Sequence, residues 1–390
     1  MIARSTSRLW SVQRRLVLAL MLAVPLGAAV ATPYTPGSDM QVLAELPAGA
    51  RHTNSSTLEL TRTRLDIALP LAQFDIGRAR ATGDLRFLGY ADAVLAPWLK
   101  QSPVATQVLV LNATILQSRH SFNAALAELD RALAQHPDDA QGWLTRATVL
   151  RVLGRYGEAS LSCGHLAATA DPGITALCEQ SLLSLMGHLP RAYAAISTLP
   201  VQSLPPEAQA WRYSELGEMA ERLGDDAAAE HWLKQGLLTA ADDFYLRTAY
   251  ADLLLRQHRA AEALQLLSGY ESMEPMLLRI AIAQRMLHDT AAAQTRIKLA
   301  SAFDVEQQRG DAVHRREQAR FLLDVDPEPL AALASAQQNW QVQREPDDVL
   351  ILLRAAQATH QPQAAEPALE FLRQQRLEDV RLDGFRGVPQ

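Results

Sequence analysis

Nucleophilic, metal-binding or phosphate-binding chemistry in this 390-residue chain would have to come from two cysteines, ten histidines and a few basic residues. Lys100, Lys234 and Lys298 each follow an apolar residue and never Gly, so no Gly-Lys phosphate loop is present. No His-Glu-x-x-His pair occurs. The nearest array is His314-Arg315-Arg316-Glu317, one His and one acid at helical spacing inside a basic run, which reads as a surface pair rather than a ligand set. Gly-x-Ser-x-Gly is absent, and Ser162-Cys163-Gly164-His165 fits no protease signature. These residues call for no catalysis, no metal and no cofactor. What remains is a pair of cysteines and a series of arginines, and their meaning depends on the elements that carry them.

Apolar residues make up 48% of the chain, aromatics 6% and charged residues 21%. Ala and Leu dominate the apolar share, which favours helices because both lose little on entering one. The formal net charge is −6, and the first 31 residues contain Arg4, Arg8, Arg14 and Arg15 but no acid, which leaves the remainder near −10. So acidic a chain lacks the basic footprint of nucleic-acid binding.

The start of the chain reads as an export signal over 1–31. Four arginines precede the apolar run Leu16–Leu26, and Ala29-Val30-Ala31 has the form a signal peptidase cleaves. The run is shorter than the roughly 20 residues that span a bilayer, and Pro25 interrupts it. The expected product is an exported protein, periplasmic or secreted, with no stable membrane span after cleavage. Residues 32–57, with Pro33, Pro36, Gly37, Pro47 and Gly49, read as an extended lead-in.

Beyond about residue 106 the chain repeats itself. Leu-Asn-Ala-Thr-Ile-Leu-Gln (111–117) aligns with Thr-Arg-Ala-Thr-Val-Leu-Arg (145–151), so Ala113, Thr114 and Leu116 recur as Ala147, Thr148 and Leu150. Phe122 recurs as Tyr156 and Ala125 as Ala159, all at a period of 34. The set Trp143, Ala147, Leu150, Gly154, Tyr156 and Ala159, preceded by His136-Pro137-Asp138-Asp139, resembles the tetratricopeptide repeat. A small residue lets two helices cross closely, Gly or a polar residue closes the short turn, and Pro stops the second helix. Further units are expected at Leu216 to Ala229, Ala251 to Ala263, Ala281 to Ala293, Ala319 to Ala331 and Leu353 to Ala365, with a weaker one at Ile174 to Leu199. The predicted fold is an all-α right-handed α-solenoid of antiparallel helix pairs. It comprises an atypical capping pair at 58–105, about eight units over 106–378 and a frayed tail at 379–390. Over 296–326 either one helix runs long or the register slips.

This register puts Cys163 on the second helix of one unit and Cys178 on the first helix of the next, on either side of Asp171-Pro172-Gly173. That placement favours a disulfide in an oxidising compartment. Two buried thiols packing as small apolar groups is the other reading. The resemblance implies a partner groove on the exposed face of the first helices. Carried over, it includes Val110, Thr114, Leu144 and Thr148 in front and Arg222, Arg256, Arg285, Arg316, Arg320 and Arg354 behind. The Arg series suits an acidic segment or terminal carboxylate, or is simply the default cation of solvated faces. The implied function is an exported scaffold for a protein or peptide partner, without catalysis. The alternatives are an accessory subunit of an envelope enzyme, or a capture protein for cell-wall glycan or peptide that would stack it on Trp211 and Tyr245.

Overall fold

The computed structural model describes residues 55–309 and 314–385. The expected signal over 1–31, most of the lead-in and the last residues of the tail lie outside them. Nineteen α-helices and no strand occur among the described residues. They are α1 (Ser55–Thr63), α2 (Leu65–Thr82), α3 (Arg86–Leu99), α4 (Thr106–Ser118), α5 (Phe122–Gln135), α6 (Ala140–Val152), α7 (Tyr156–Leu166), α8 (Pro172–Leu183), α9 (Leu189–Ser197) and α10 (Pro206–Leu223). There follow α11 (Asp226–Thr239), α12 (Phe244–Arg256), α13 (Ala260–Leu266), α14 (Glu274–Met286), α15 (Ala292–Arg309), α16 (Arg315–Asp324), α17 (Pro329–Trp340), α18 (Pro346–Ala358) and α19 (Glu366–Gln375). From α4 onward successive helices pair as hairpins, α4 with α5 through α18 with α19, the last by way of the short 3-10 turn Pro362–Ala365.

Two local devices build each hairpin. The turn after a first helix is closed by a residue in the left-handed region: His120, Gly154, Gly187, Gly224, His258, His288 and His360. Beyond it an N–H reaches back to the helix, as in Ser121 N to Leu116 O at 2.9 Å and Arg155 N to Leu150 O at 2.8 Å. These bonds satisfy carbonyls that the helix end leaves open. An aspartate starts many of the following helices: Asp139 accepts from Gly142 N at 2.6 Å, Asp225 from Ala228 N at 2.9 Å and Asp243 from Leu246 N at 2.8 Å.

The small residues sit where helices cross. Ala113, Ala125, Ala147, Ala159, Ala229, Ala251, Ala263 and Ala281 are all buried. Two of the expected ones are not: Ala293 and Ala331 are exposed. The helix α15 runs to 18 residues and packs through Leu299 and Phe303 instead, the latter ring 5.4 Å from Phe321. In α17 the buried positions are Ala332 and Ala336, one residue on from the expected register. A long helix and a one-residue slip thus both occur in the irregular stretch.

Both ends of the array differ from the sequence-based expectation. Helix begins at Ser55, inside the span read as an extended lead-in, and three helices rather than a pair precede Thr106. The segment 379–385, read as frayed, is packed: Leu382 is fully buried, and Arg381 pairs with Asp379 at 2.7 Å and Asp347 at 3.0 Å. The reason is that the array closes on itself. Arg344 N donates to Val152 O at 2.8 Å, Tyr156 Oη to Arg344 O at 3.1 Å, and Leu189 N to Glu378 at 2.7 Å. Buried residues of α2–α8 and of α16–α19 consequently form one continuous apolar core, while α9–α16 hold smaller ones of their own.

Candidate functional site: an ion-paired central cavity

The closure leaves a partly open cavity of about 2080 Å³. Its walls come from the first helices α10, α12, α14, α16 and α18, with the α2–α3 turn at one side and the segment from Val380 to Phe385 at another. Ligand pockets for small molecules run to about 1,000 Å³, so this space suits an extended ligand or a chain segment. Ten arginines and nine carboxylates line it.

Most of these charges already hold one another. Arg256 of α12 reaches back to Glu221 at 2.5 Å and Asp226 at 2.8 Å. Arg320 of α16 binds Asp252 at 2.6 Å, and Arg279 of α14 binds the same carboxylate at 2.6 Å. Arg354 of α18 pairs with Asp324. Arg316 lies 3.4 Å from Asp348 and 3.7 Å from Glu317. Arg151 of α6 pairs with Glu215 and stands 3.7 Å from Glu218. An Arg on one first helix is thereby tied to an acid on another, earlier or later in the chain, which cross-links the repeats along the inner wall. Arg222 and Arg285 are held differently: Arg222 donates to Ser184 O at 2.8 Å and Ser184 Oγ at 2.7 Å, and Arg285 to Val325 O at 2.8 Å. Arg80, at the α2–α3 end of the cavity, makes no hydrogen bond or ion pair among the described residues, and burial lowers its pKa.

Crowding of charge shifts the titrating groups. Burial, reinforced by Glu215 and opposed by Arg151, pushes Glu218 up to about 8, and Tyr245 Oη donates to its carboxylate. Burial raises Asp348 to about 6 against the pull of Arg316. Against its own burial, Glu317 is held down to about 2 by Arg316, His314 and Arg279. Burial, helped by Arg151 and opposed by Glu218, lowers Arg222.

All six arginines expected in the groove, Arg222, Arg256, Arg285, Arg316, Arg320 and Arg354, line this one cavity. The four front residues do not. Val110 and Thr114 are buried, Thr114 Oγ1 donating to Val110 O at 2.9 Å, while Leu144 is half-buried and Thr148 exposed away from the cavity. Tyr245 lines the cavity, whereas Trp211 is packed beside it with its indole donating to Glu215 at 2.9 Å. Cys163 and Cys178 form a disulfide across the α7–α8 turn, with Cα atoms 5.6 Å apart. Reading first helices one at a time misses Arg80 and Arg381, which reach the cavity from outside the repeat register, and Arg279, six residues before Arg285 on α14. It also misses the carboxylates that neutralise the series. The acids Glu218, Glu221 and Asp252, one turn from each Arg, were the available signal.

No helix among the described residues is long and apolar enough to cross a membrane. No family model matches the sequence, and no curated protein resembles it significantly. Solved structures do resemble it. The APC/C hetero-tetramer Cut9-Hcn1 is 17% identical with a TM-score of 0.47, covering 76% of this chain and 56% of that one. A tetratricopeptide repeat protein from Parabacteroides merdae is 15% identical with a TM-score of 0.37, covering 64% of this chain and 98% of its own. The human IFIT1 dimer with m7Gppp-AAAA is 11% identical with a TM-score of 0.47, covering 83% and 95%. This chain thus spans little more than half the length of Cut9, the first of these. The paired helices, their 34-residue spacing and their left-handed turns make this protein an all-α array of tetratricopeptide-like repeats.

Proposed function

We propose that the protein is an exported scaffold of the bacterial envelope that takes a protein or peptide segment into its central cavity, with no chemistry of its own. The observation that supports this reading most is the cavity itself: larger than a small-molecule site, and walled by charges that are mutually paired. A partner segment gains affinity there by exchanging internal ion pairs for its own. The wall is close to neutral, so the segment that fits best carries both signs rather than the purely acidic run that the Arg series alone suggests. A glycan-capture role would need open aromatic faces, and Trp211 and Tyr245 are both engaged with glutamates.

Arg256 and Arg354 each hold a carboxylate, so reversing their charge lowers stability as well as any capture. The cleaner test fills the cavity without breaking a pair. Ala241 and Gln357 line it and are exposed. Ala241→Trp and Gln357→Trp should retain the melting temperature and lose capture of the partner from an envelope fraction. Arg131→Glu, on α5 outside the cavity, should retain both. Capture that survives both plugs would rule the cavity out. The export half of the proposal stands on the residues at 29–31 and is checked separately: N-terminal sequencing of the envelope protein should start at Thr32.

A further inference from the structure

His314 shows a contact that its place in the sequence conceals. The expected neighbour, Glu317, lies on its own helix. Instead the ring faces two glutamates brought by other helices: Nδ1 is 2.7 Å from Oε1 of Glu306 on α15 and 3.1 Å from Oε1 of Glu274, the first residue of α14. The three ligand atoms all lie within 4.8 Å of one another. Each side chain is about four-fifths buried.

One proton does not satisfy this arrangement. Nδ1 carries a single hydrogen, and Glu306 takes it at the shorter distance. Glu274 Oε1 is buried and accepts no hydrogen bond, a state that costs about 1–3 kcal/mol or more for a charged group. Two carboxylates and a neutral imidazole carry two negative charges, with Glu317 adding to the field, while Arg315 lines the adjoining hollow. Beside Glu306 and His314 lies a hollow of about 20 Å³, also lined by Gln307 and Gln318. That is room for about one water.

We propose that Glu274, Glu306 and His314 form a binding site for a divalent transition cation of the zinc class, with a water in the adjoining hollow as fourth ligand. Three protein ligands of mixed nitrogen and oxygen type plus one water match the coordination that zinc accepts, at about 2.0–2.2 Å. Tetrahedral ligands at that radius stand about 3.4 Å apart, so the contacts of 2.7 Å and 3.1 Å would open by about 0.7 Å and 0.3 Å to admit it. Imidazole selects against the hard cations Mg²⁺ and Ca²⁺. The cation replaces one shared proton by a centre that all three ligands reach, and Glu274 gains the partner it lacks. Because the ligands come from α14, α15 and the start of α16, it would also fasten together the stretch where the repeat register slips.

The test is a calorimetric titration of Zn²⁺ into chelator-stripped, disulfide-bonded full chain at pH 7.5. The expected result is one equivalent bound, unaffected by Mg²⁺ or Ca²⁺, with affinity lowered by about tenfold or more in Glu306→Gln and in His314→Ala. His288→Ala, at an exposed turn, serves as control and should bind as the unaltered chain does. X-ray absorption of the zinc complex should show a nitrogen and oxygen shell without sulfur. If His314→Ala folds poorly, Glu306→Gln decides, since it keeps the shape of the side chain. Absence of a tight equivalent, or equal binding by the two ligand variants and the control, would mean that the three residues are an ion-paired cluster only, and the proposal would be overturned.

Discussion

The turns of the array divide into two groups that the repeat alone does not distinguish. Gly154, Gly187 and Gly224 close the α6–α7, α8–α9 and α10–α11 hairpins, and His258 and His288 close α12–α13 and α14–α15, all in the left-handed region. Since His also adopts that backbone, the conformation alone does not require glycine at the first three. Their surroundings are. A Cβ at Gly154 would stand 2.9 Å from the Phe371 ring and 3.0 Å from Arg344 Cβ, and one at Gly187 would stand 2.9 Å from Arg376 Cβ. One at Gly224 would meet Val380 at 3.3 Å. The C-terminal hairpins lie across these turns, whereas the imidazoles of His258 and His288 look into the open cavity. His120 is the intermediate case: its turn is crossed too, and its ring takes part in the contact, 3.3 Å from Gln343 Nε2. Glycine therefore marks where the chain closes upon itself, and histidine where it stays open.

The sharpest way to break this comparison is to exchange the residues. Gly154→Ala should lower stability by about 2–4 kcal/mol, from the left-handed cost of roughly 1–2 kcal/mol plus overpacking against Phe371. His258→Gly should change it by no more than about 1 kcal/mol, in either direction. Urea unfolding midpoints read both, and similar losses would dissolve the distinction. Next in size is the disulfide, which staples the closed half. Replacing Cys163 and Cys178 by Ser should cost about 2–3 kcal/mol, as expected for closing a 15-residue loop. Amide exchange should quicken in α7 and α8 first, and quickening that begins in α12–α16 would contradict the assignment.

The open half depends on its ion pairs instead. Arg320→Ala leaves Asp252 with Arg279 and Asp324 with Arg354. The loss should be about 1–2 kcal/mol and should shrink at high salt. A loss of that size that does not respond to salt would assign Arg320 a packing role. A further effect is one of pH. Glu218 has a folded pKa of about 8, above its unfolded value of 4.5, so the folded state binds the extra proton. Its contribution is fully present below pH 4.5 and is lost as pH rises through about 8. Glu218→Gln should flatten that part of the stability profile between pH 5 and 8, and an unchanged slope would show that another group titrates there.

Much of this was legible from residue spacing. The period of 34 carried by Ala113, Ala147, Phe122 and Tyr156 leads to helix pairs because a small residue at each crossing and a turn residue after each first helix are local requirements. The disulfide was legible for the same reason, since two cysteines 15 residues apart flank a single turn. That the stretch 296–326 is irregular was legible too, but not its packing: Leu299 with Phe303 does in α15 what Ala does elsewhere, and an exposed alanine at 293 or 331 looks no different from a buried one. For the candidate site, the six arginines do line one cavity, but their pairing was invisible: Arg320 and Asp252 are 68 positions apart and meet only across an intervening hairpin.

By itself, then, the sequence determined what adjacent residues decide: helix, turn, hairpin, the half-turn between two cysteines, and which face of each first helix carries charge. Only the tertiary structure decided what the accumulated rotation of the repeats decides. Each hairpin sets its neighbour at a slightly different angle, and after several of them α18 and α19 arrive back over the turns of α6 to α10. That return places Val110 in the same core as Leu352 and Phe371, packs Leu382 of an apparent tail, and converts an open charged groove into a cavity most of whose arginines are already partnered. No local pattern encodes it, because the summed angle depends on every crossing between the first hairpin and the last.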